Sequence, residues 1–129
     1  RDKFHVPFPN HHCMHECLLT DKAQKAKGIS TMEIAKTLID EGIHPMTVYF
    51  PLVVQGAMLI EPTESETKET LDNFISIMRR IADNVEKGNG DAMKQNPKRA
   101  HRAKLDEVQA AKFPKLTWNE LLGEQAKAA

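Results

Sequence analysis

The stretch GAMLIEPTESETKETLDNFISIMRRIADNV, residues 56–85, decides the fold because it joins an extended apolar run to a long amphipathic helix. Residues 56–61 form a short apolar run, which predicts a strand buried on both faces. From Leu71 to Val85, apolar side chains recur at helical spacing opposite a charged face. The predicted stripe comprises Leu71, Phe74, Ile75, Met78, Ile81, Ala82 and Val85. The Gly-Asn-Gly of residues 88–90 predicts the end of this helix.

One further helix and two further strands are predicted on the amino-terminal side of this unit. A capping box, Ser30 with Glu33, opens a helix that Gly42 closes. Residues 13–20 and residues 47–50 each predict a strand, and prolines on either side keep the second one short. Short strands beside two amphipathic helices predict an α+β fold. The helices pack on one face of a small, mostly antiparallel sheet and leave its other face free.

The remaining segments have weaker patterns. Residues 21–28 are polar and rich in lysine, which predicts an exposed loop. Residues 91–96 and 104–112 predict short helices, the second with Leu105 and Val108 facing inward.

The domain boundaries follow from composition. Prolines among isolated aromatic residues indicate that residues 1–12 are a linker. Residues 13–118 form one domain, which closes with an extended piece at 114–118, and residues 119–129 are a frayed tail.

Length and charge exclude several classes of protein. The chain has 129 residues, and its 18 Lys and Arg balance 18 Asp and Glu. Residues 61–72 are acidic and residues 87–115 are basic. The basic stretch contains a single Phe, Trp or Tyr residue, Phe113, which favours a solvated or domain-contacting surface over nucleic-acid binding. No apolar run approaches the roughly 20 residues of a membrane span. The amino terminus has neither an initiator Met nor the pattern of a signal peptide, so we expect a segment of a longer protein. We expect it to contact neither nucleic acid nor membrane.

The densest group of potential metal ligands is HHCMHEC, residues 11–17. On a strand Cys13, His15 and Cys17 would share a face at steps of roughly 7 Å, too far apart to close on one ion. We therefore favour two buried thiols and a bonded histidine over zinc. The same geometry would separate the thiols by roughly 13 Å, beyond disulfide reach, and reduced thiols indicate a cytoplasmic protein. The alternative is a self-contained metal-binding or interaction module that uses His12 with these three residues.

Two other polar stretches have both structural and functional interpretations. In Glu61-Pro62-Thr63-Glu64-Ser65-Glu66, Thr63 and Glu66 have the spacing of a capping box, which we favour over acid–base catalysis. His44 precedes a proline in a loop that a second proline also stiffens, which suits a positioned polar side chain. A lone histidine is still more often structural. The chain has no phosphate-binding glycine motif and no nucleophile elbow, so a free-standing nucleotide enzyme or hydrolase is not expected.

Taken in order, four stretches resemble the end of the glycine dehydrogenase (decarboxylating) P-protein of the glycine cleavage system. They are CMHE at 13–16, TMEIAK at 31–36, GIHPMTVYFP at 42–51 and MLIEPTESETKETLD at 58–72. The weaker run LDEVQAA at 105–111 also fits. The resemblance is nearest to the second of the two subunits into which many bacteria split this enzyme.

This resemblance implies a fold and a chemistry. The fold is the small carboxy-terminal α+β domain of the aspartate-aminotransferase-like (fold type I) enzymes that use pyridoxal phosphate. The intact enzyme holds the cofactor as a Schiff base on a lysine, releases carbon dioxide from glycine and passes the aminomethyl group to the lipoyl arm of the H-protein. The expected partners are the large cofactor-binding domain, the other P-protein subunit, the lipoylated H-protein and glycine.

The resemblance also implies what this chain lacks. The Schiff-base lysine of the family lies in a His-Lys segment before a glycine-rich loop, and no such segment occurs here. We therefore expect the fragment to be inactive alone. The residues expected to face the cleft at the domain boundary are His15, His44, Thr47, Glu61, Thr63 and Glu64. No metal is expected, and Cys17 departs from the family, where Phe is common, which argues against functional thiols.

Overall fold

The computed structural model describes residues 2–120 of the chain. Its elements, in order, are β1 (Cys17–Thr20), α1 (Lys22–Lys25), α2 (Thr31–Asp40), β2 (Thr47–Val48), β3 (Ala57–Ile60), α3 (Lys68–Glu86), a 3₁₀ helix (Gly90–Gln95) and α4 (Glu107–Lys112). The strands form one antiparallel sheet in the order β1-β3-β2. The predicted α+β class and antiparallel sheet are confirmed.

The strand register assigns the two faces of the sheet. Leu18 pairs with Leu59 and Leu19 pairs with Met58, while Thr47 also lies opposite Leu59. Paired residues point to the same side of a sheet and successive residues to opposite sides. Leu18, Leu59 and Thr47 therefore share one face. Met58 is fully buried in the core, so the helices cover the other face.

The core lies between this face and the helices. Its buried apolar side chains are Phe4, Ile29, Ile34, Leu38, Met58, Ile77, Met78, Ile81, Ala82, Val85 and Met93. The stripe predicted along α3 is right except at one position. Ile75 is 53% exposed, and Ile77 is buried at 5%. Both positions satisfy a helical repeat approximately, and only the neighbouring elements decide which one the core covers.

The amino-terminal residues pack against this core. Phe4 is 7% exposed and belongs to the core cluster. His5 forms an isolated antiparallel bridge with Thr20, and the His5 Nδ1 atom lies 3.0 Å from the Thr20 hydroxyl. Residues 2–5 are thus in contact with the domain, although residues 1–12 were expected to be a linker. The limits of the domain stay predictions.

The segment 21–28 is not the exposed loop that its polarity predicts. It contains α1, and Asp21 is only 2% exposed. The Asp21 carboxylate accepts a hydrogen bond from the Thr31 amide at 2.9 Å, at the positive end of α2. The Thr31 hydroxyl donates to the Gly56 carbonyl at 2.8 Å. Local polarity is a poor guide here because the partner of Asp21 is another helix.

The start of α2 follows the sequence closely. The Ser30–Glu33 capping box is confirmed, with the Ser30 amide donating to the Glu33 carboxylate at 2.9 Å. At the other end of α2, Asp40 is 9% exposed. Its carboxylate accepts hydrogen bonds from the backbone amides of residues 98–100 at 2.7 to 3.1 Å. These bonds tie the chain that follows the 3₁₀ helix to α2.

Strand β1 begins four residues later than predicted. Residues 14 and 15 form a bend, and the strand starts at Cys17. The Sγ atoms of Cys13 and Cys17 are consequently 3.7 Å apart. Both thiols are exposed and free. The predicted wide separation and the predicted burial of the thiols are therefore wrong, since both assumed an extended chain from residue 13.

The carboxy-terminal part also differs from expectation. Leu105 and Val108 do not face inward but are 67% and 63% exposed. Residues 114–118 form no strand, and residues 118–120 are helical. Most of the tail predicted at 119–129 lies outside the described residues. None of the helices within residues 2–120 has both the length and the apolar character that crossing a bilayer requires.

Candidate functional site

An open groove lies where the end of the sheet meets the first turns of α3. Its volume is about 420 Å³. Apolar side chains that include Leu59, Leu71 and Phe74 form part of its wall. The ionisable, hydroxyl and amide side chains that line it are Glu16, His44, Thr47, Glu61, Thr63, Glu66, Thr70 and Asn73. Polar groups from four stretches of the chain therefore meet in one concave surface.

The groove gathers most of the residues that the sequence singled out. His44, Thr47, Glu61 and Thr63 line it, and each is exposed. His15 and Glu64 do not line it. Their expected place at a domain boundary stays a prediction, as does that of the other four.

Four further polar residues of the groove were not among the residues predicted to face the cleft. Glu16, Glu66, Thr70 and Asn73 all line it. Glu16 is only half-buried, and its carboxylate lies 4.0 Å from the imidazole of the exposed His15. Glu16, Glu66 and Thr70 lie in two of the stretches that resemble the family, and this membership could have identified them as candidate site residues. For Asn73 the sequence predicted only that it belongs to a helix, and nothing pointed to a role in a site.

Three local features hold the predicted groove residues in place. The Gly42 residue has a φ of 77°, and the amide of Ile43 donates to the Leu38 carbonyl at 3.0 Å. The chain thus leaves α2 in a fixed direction and carries His44 to the groove. Thr47 sits in β2, opposite Leu59 of the central strand.

The loop of residues 61–66 joins β3 to α3 and is not a helix cap. The Glu66 amide donates to the Thr63 carbonyl at 3.1 Å, and the Thr63 and Ser65 hydroxyls lie 2.7 Å apart. The N-cap of α3 is Thr67, whose hydroxyl accepts from the Thr70 amide at 3.1 Å. The predicted Thr63–Glu66 capping box is therefore wrong. A second threonine closer to the apolar stripe takes the capping position.

Two acidic side chains of this loop are exposed and unpaired within the described residues. Within residues 2–120, no hydrogen bond or ion pair engages the carboxylate of Glu61 or of Glu64. Glu16, Glu61 and Glu66 contribute three carboxylates to the groove, and no Lys or Arg of the described part of the chain lines it. The groove therefore favours a cation or a hydrogen-bond donor as its occupant.

The His and Cys side chains of residues 11–17 do not gather into a metal site. In the described part of the chain, no group of three or more His, Cys, Asp and Glu side chains is arranged to hold a metal ion. Cys13 and Cys17 approach each other, but an ion needs further ligands. The alternative of a metal-binding module is not favoured.

The fold and the groove define the class of this protein: a small α+β domain with an open acidic groove at one end of its sheet. A family model described as "Glycine dehydrogenase, C-terminal domain" matches residues 1–104. A Caulobacter vibrioides protein whose name reads "Probable glycine dehydrogenase (decarboxylating) subunit 2" is 48% identical over 118 residues, which is 92% of this chain and 22% of that protein.

Two further relatives carry the same name. The Staphylococcus epidermidis protein is 45% identical over 127 residues, 98% of this chain and 25% of its own length. The Oceanobacillus iheyensis protein is 44% identical over 118 residues, 92% of this chain and 24% of its own length. The chain belongs to the family of glycine dehydrogenase carboxy-terminal domains, on the subunit 2 branch. It spans about a quarter of the length of these relatives.

Proposed function

We propose that this domain forms one wall of the glycine-binding cleft of a glycine decarboxylase, the P-protein of the glycine cleavage system. The intact protein releases carbon dioxide from glycine and passes the aminomethyl group to the lipoyl arm of the H-protein. One observation carries the proposal. His44 and Thr47 come from one family-like stretch and Glu61 and Thr63 from another, and all four line a single open groove.

The cofactor of the intact enzyme is pyridoxal phosphate, which supplies a sink for the electrons released on decarboxylation. A phosphate group requires cationic side chains or several convergent amides. Among residues 2–120, three carboxylates and no Lys or Arg line the groove, so its side chains do not fit the phosphate. We therefore place the cofactor and its Schiff-base lysine in the large domain, outside this chain.

The groove residues suit a different task. The carboxylates of Glu16, Glu61 and Glu66 are hydrogen-bond acceptors, and the hydroxyls of Thr47 and Thr63 are both donors and acceptors. Such a set holds and orients an ammonium group, from glycine or from a basic side chain of the large domain. We assign these residues to positioning and none to catalysis.

The remaining expectations belong to the same proposal. The small domain adopts the place it has in the aspartate-aminotransferase-like enzymes. Its partners are the large domain, the other P-protein subunit, the lipoylated H-protein and glycine. The fragment is inactive alone, and the cytoplasmic location inferred from the two cysteines stays a prediction.

The decisive experiment changes the groove in the full-length protein that carries this domain. Glu61→Gln and Thr63→Val keep the side-chain volume and remove a charge or a hydroxyl. With glycine and lipoylated H-protein, we expect kcat/KM for carbon dioxide release to fall about tenfold or more, which corresponds to about 1.4 kcal/mol.

The matched control is Glu69→Gln. Glu69 is exposed in the first turn of α3 and does not line the groove. Its variant should retain the kcat/KM of the parent protein. Parent-like kcat/KM in both groove variants would overturn the proposal.

A separate experiment tests inactivity of the fragment. The purified fragment is mixed with pyridoxal phosphate, glycine and lipoylated H-protein, and released carbon dioxide is measured. We expect no release above the protein-free background. Borohydride trapping with mass mapping should find no single preferred lysine, and one lysine labelled at low cofactor concentration would contradict this expectation.

A further inference from the structure

Cys13 and Cys17 lie side by side on the surface, immediately before β1. Their Sγ atoms are 3.7 Å apart, and both are exposed free thiols. The bend at residues 14 and 15 brings the two sulfurs together. A disulfide bond is about 2 Å long, so the sulfurs need to approach by less than about 2 Å to form one.

The surroundings of the thiols leave them accessible. Both line an open surface pocket of about 590 Å³ together with Phe8 and His12. A small oxidant can therefore reach either sulfur from solvent. Partial burial, with the neighbouring Cys13 sulfur, raises the pKa of Cys17. The thiolate is the reactive form of a cysteine, so we assign the first attack to Cys13.

We infer that Cys13 and Cys17 form a reversible disulfide site whose oxidant is a peroxide. The inference does not depend on the proposed function, because it concerns only the two thiols. It is particular to chains that carry both cysteines.

The reaction has two steps. The Cys13 thiolate attacks one oxygen of hydrogen peroxide, the O–O bond breaks, and the departing hydroxide takes up a proton to leave as water. Cys13 is then a sulfenic acid. The Cys17 sulfur attacks the Cys13 sulfur, the S–S bond forms, and the S–O bond breaks to release a second water with the Cys17 proton. The two sulfurs lose two electrons in total, and the peroxide gains them.

The bridge would enclose the groove side chain Glu16 in a short covalent loop. Glu16 stands directly before Cys17 and lines the acidic groove. Oxidation therefore constrains the backbone on both sides of that side chain. Exposed disulfides are also the readily reduced ones, which makes the change reversible by thiols.

The test treats the reduced protein with a small excess of hydrogen peroxide, blocks the remaining thiols and digests it without reductant. The peptide that holds Cys13 and Cys17 should become lighter by about 2 Da and regain its mass with reductant. Intramolecular product should exceed disulfide-linked dimer by at least about tenfold at micromolar protein, because the neighbouring thiol has a far higher effective concentration.

Three variants make the result specific. Cys13→Ser and Cys17→Ser should each abolish the lighter peptide. Met14 is 95% exposed and also oxidises, so Met14→Leu removes a competing gain of about 16 Da while the bridge still forms. Thiols that stay reduced, that advance separately to sulfinic acid or that pair with other molecules would overturn the inference.

Discussion

Asp21 and Asp40 are buried and bonded to backbone amides, whereas Glu61 and Glu64 are exposed and their carboxylates have no bonding partner within residues 2–120. All four carry the same functional group. The buried pair hold elements of the fold together, at the start and at the end of α2. The exposed pair hold nothing together, so their carboxylates can meet a ligand or another domain. The difference shows that bonding partners, more than residue type, separate structural acids from candidate functional ones.

The energetic reason is the cost of removing a charge from water. A buried carboxylate destabilises the folded state unless hydrogen bonds replace its hydration. Asp40 meets this condition with the amides of residues 98–100, and Asp21 with the amide of Thr31. The exposed carboxylates of Glu61 and Glu64 remain hydrated and need no such compensation. Substitution of a buried acid should therefore lower the unfolding free energy, whereas substitution of Glu61 or Glu64 should leave it nearly unchanged.

The largest loss of stability is expected from Gly56→Ala. Gly56 has a φ of 67°, and an added Cβ would lie 1.9 Å from the Asp21 carboxylate. The strain and the displaced carboxylate should together cost about 3 kcal/mol or more of unfolding free energy, measured by urea denaturation. Gly42→Ala is the matched control, since Gly42 has a φ of 77° with nothing within 4 Å, and should cost about 1 to 2 kcal/mol. Equal costs would show that the Asp21 junction is not packed as described.

The next largest effect is expected within α3, which runs from the groove into the core. Ile77→Ala removes a side chain that is 5% exposed and should cost about 2 to 4 kcal/mol. Ile75→Ala alters a side chain that is 53% exposed and should cost less than about 1 kcal/mol. Thermal unfolding monitored by circular dichroism measures both. A larger loss from Ile75→Ala would mean that α3 is rotated from the orientation described.

Asp40→Asn should cost about 2 kcal/mol, since an amide cannot accept from as many donors as a carboxylate. Asp72→Asn is the surface control. Asp72 pairs with Lys68 only in solvent, so its variant should lose less than about 1 kcal/mol. Urea denaturation at neutral pH compares the two. Comparable losses would remove the distinction between buried and exposed acids.

Asp40→Asn should also change how the unfolding free energy depends on pH in acid. Burial alone would raise the pKa of Asp40, but the amides of Lys98, Arg99 and Ala100 outweigh it and lower the pKa below the ordinary 3.8. A lowered folded-state pKa stabilises the protein above the unfolded-state value, and this stability is lost as pH falls through the folded-state pKa. The parent should therefore lose stability more steeply than Asp40→Asn below about pH 4. Parallel profiles would contradict this.

The smallest effect on stability is expected in the loop that joins β3 to α3. Glu61→Gln and Glu64→Gln should each change the unfolding free energy by less than about 0.5 kcal/mol, because neither carboxylate has a partner within the described residues. Thermal unfolding of the two variants measures this. A loss above about 1 kcal/mol would place these acids with Asp21 and Asp40 as structural residues.

Two helices mark how far the sequence could predict the fold. The apolar repeats of α3 and α4 each predicted a helix, and both helices exist. The repeat in α3 also identified the buried face, except that Ile75 was predicted to be buried and Ile77 is the buried residue. The repeat predicted over residues 104–112 did not, because Leu105, which precedes α4, and Val108 within it are both exposed. A helical repeat reports which side chains share a face, and burial depends on what lies opposite that face.

For the candidate site, the sequence identified the stretches but not their arrangement. The family-like motifs contained His44, Thr47, Glu61 and Thr63, which the groove brings together. The same motifs contained Glu64, which lies outside the groove. Glu16 was not among the residues predicted to face the cleft. It lines the groove directly after a bend at residues 14 and 15, which the predicted single strand over residues 13–20 did not contain.

The sequence by itself determined the α+β class, the capping box of α2, the apolar face of α3 and the family, because each depends on residues close together in the chain or on ordered motifs. Tertiary structure alone decided which acids are buried and which stay open. It also placed the Cys13 and Cys17 sulfurs side by side and joined two distant stretches in one groove. Hydrogen-bond partners of a side chain are set by three-dimensional proximity, and residues such as Asp40 and Lys98 meet only after the chain has folded.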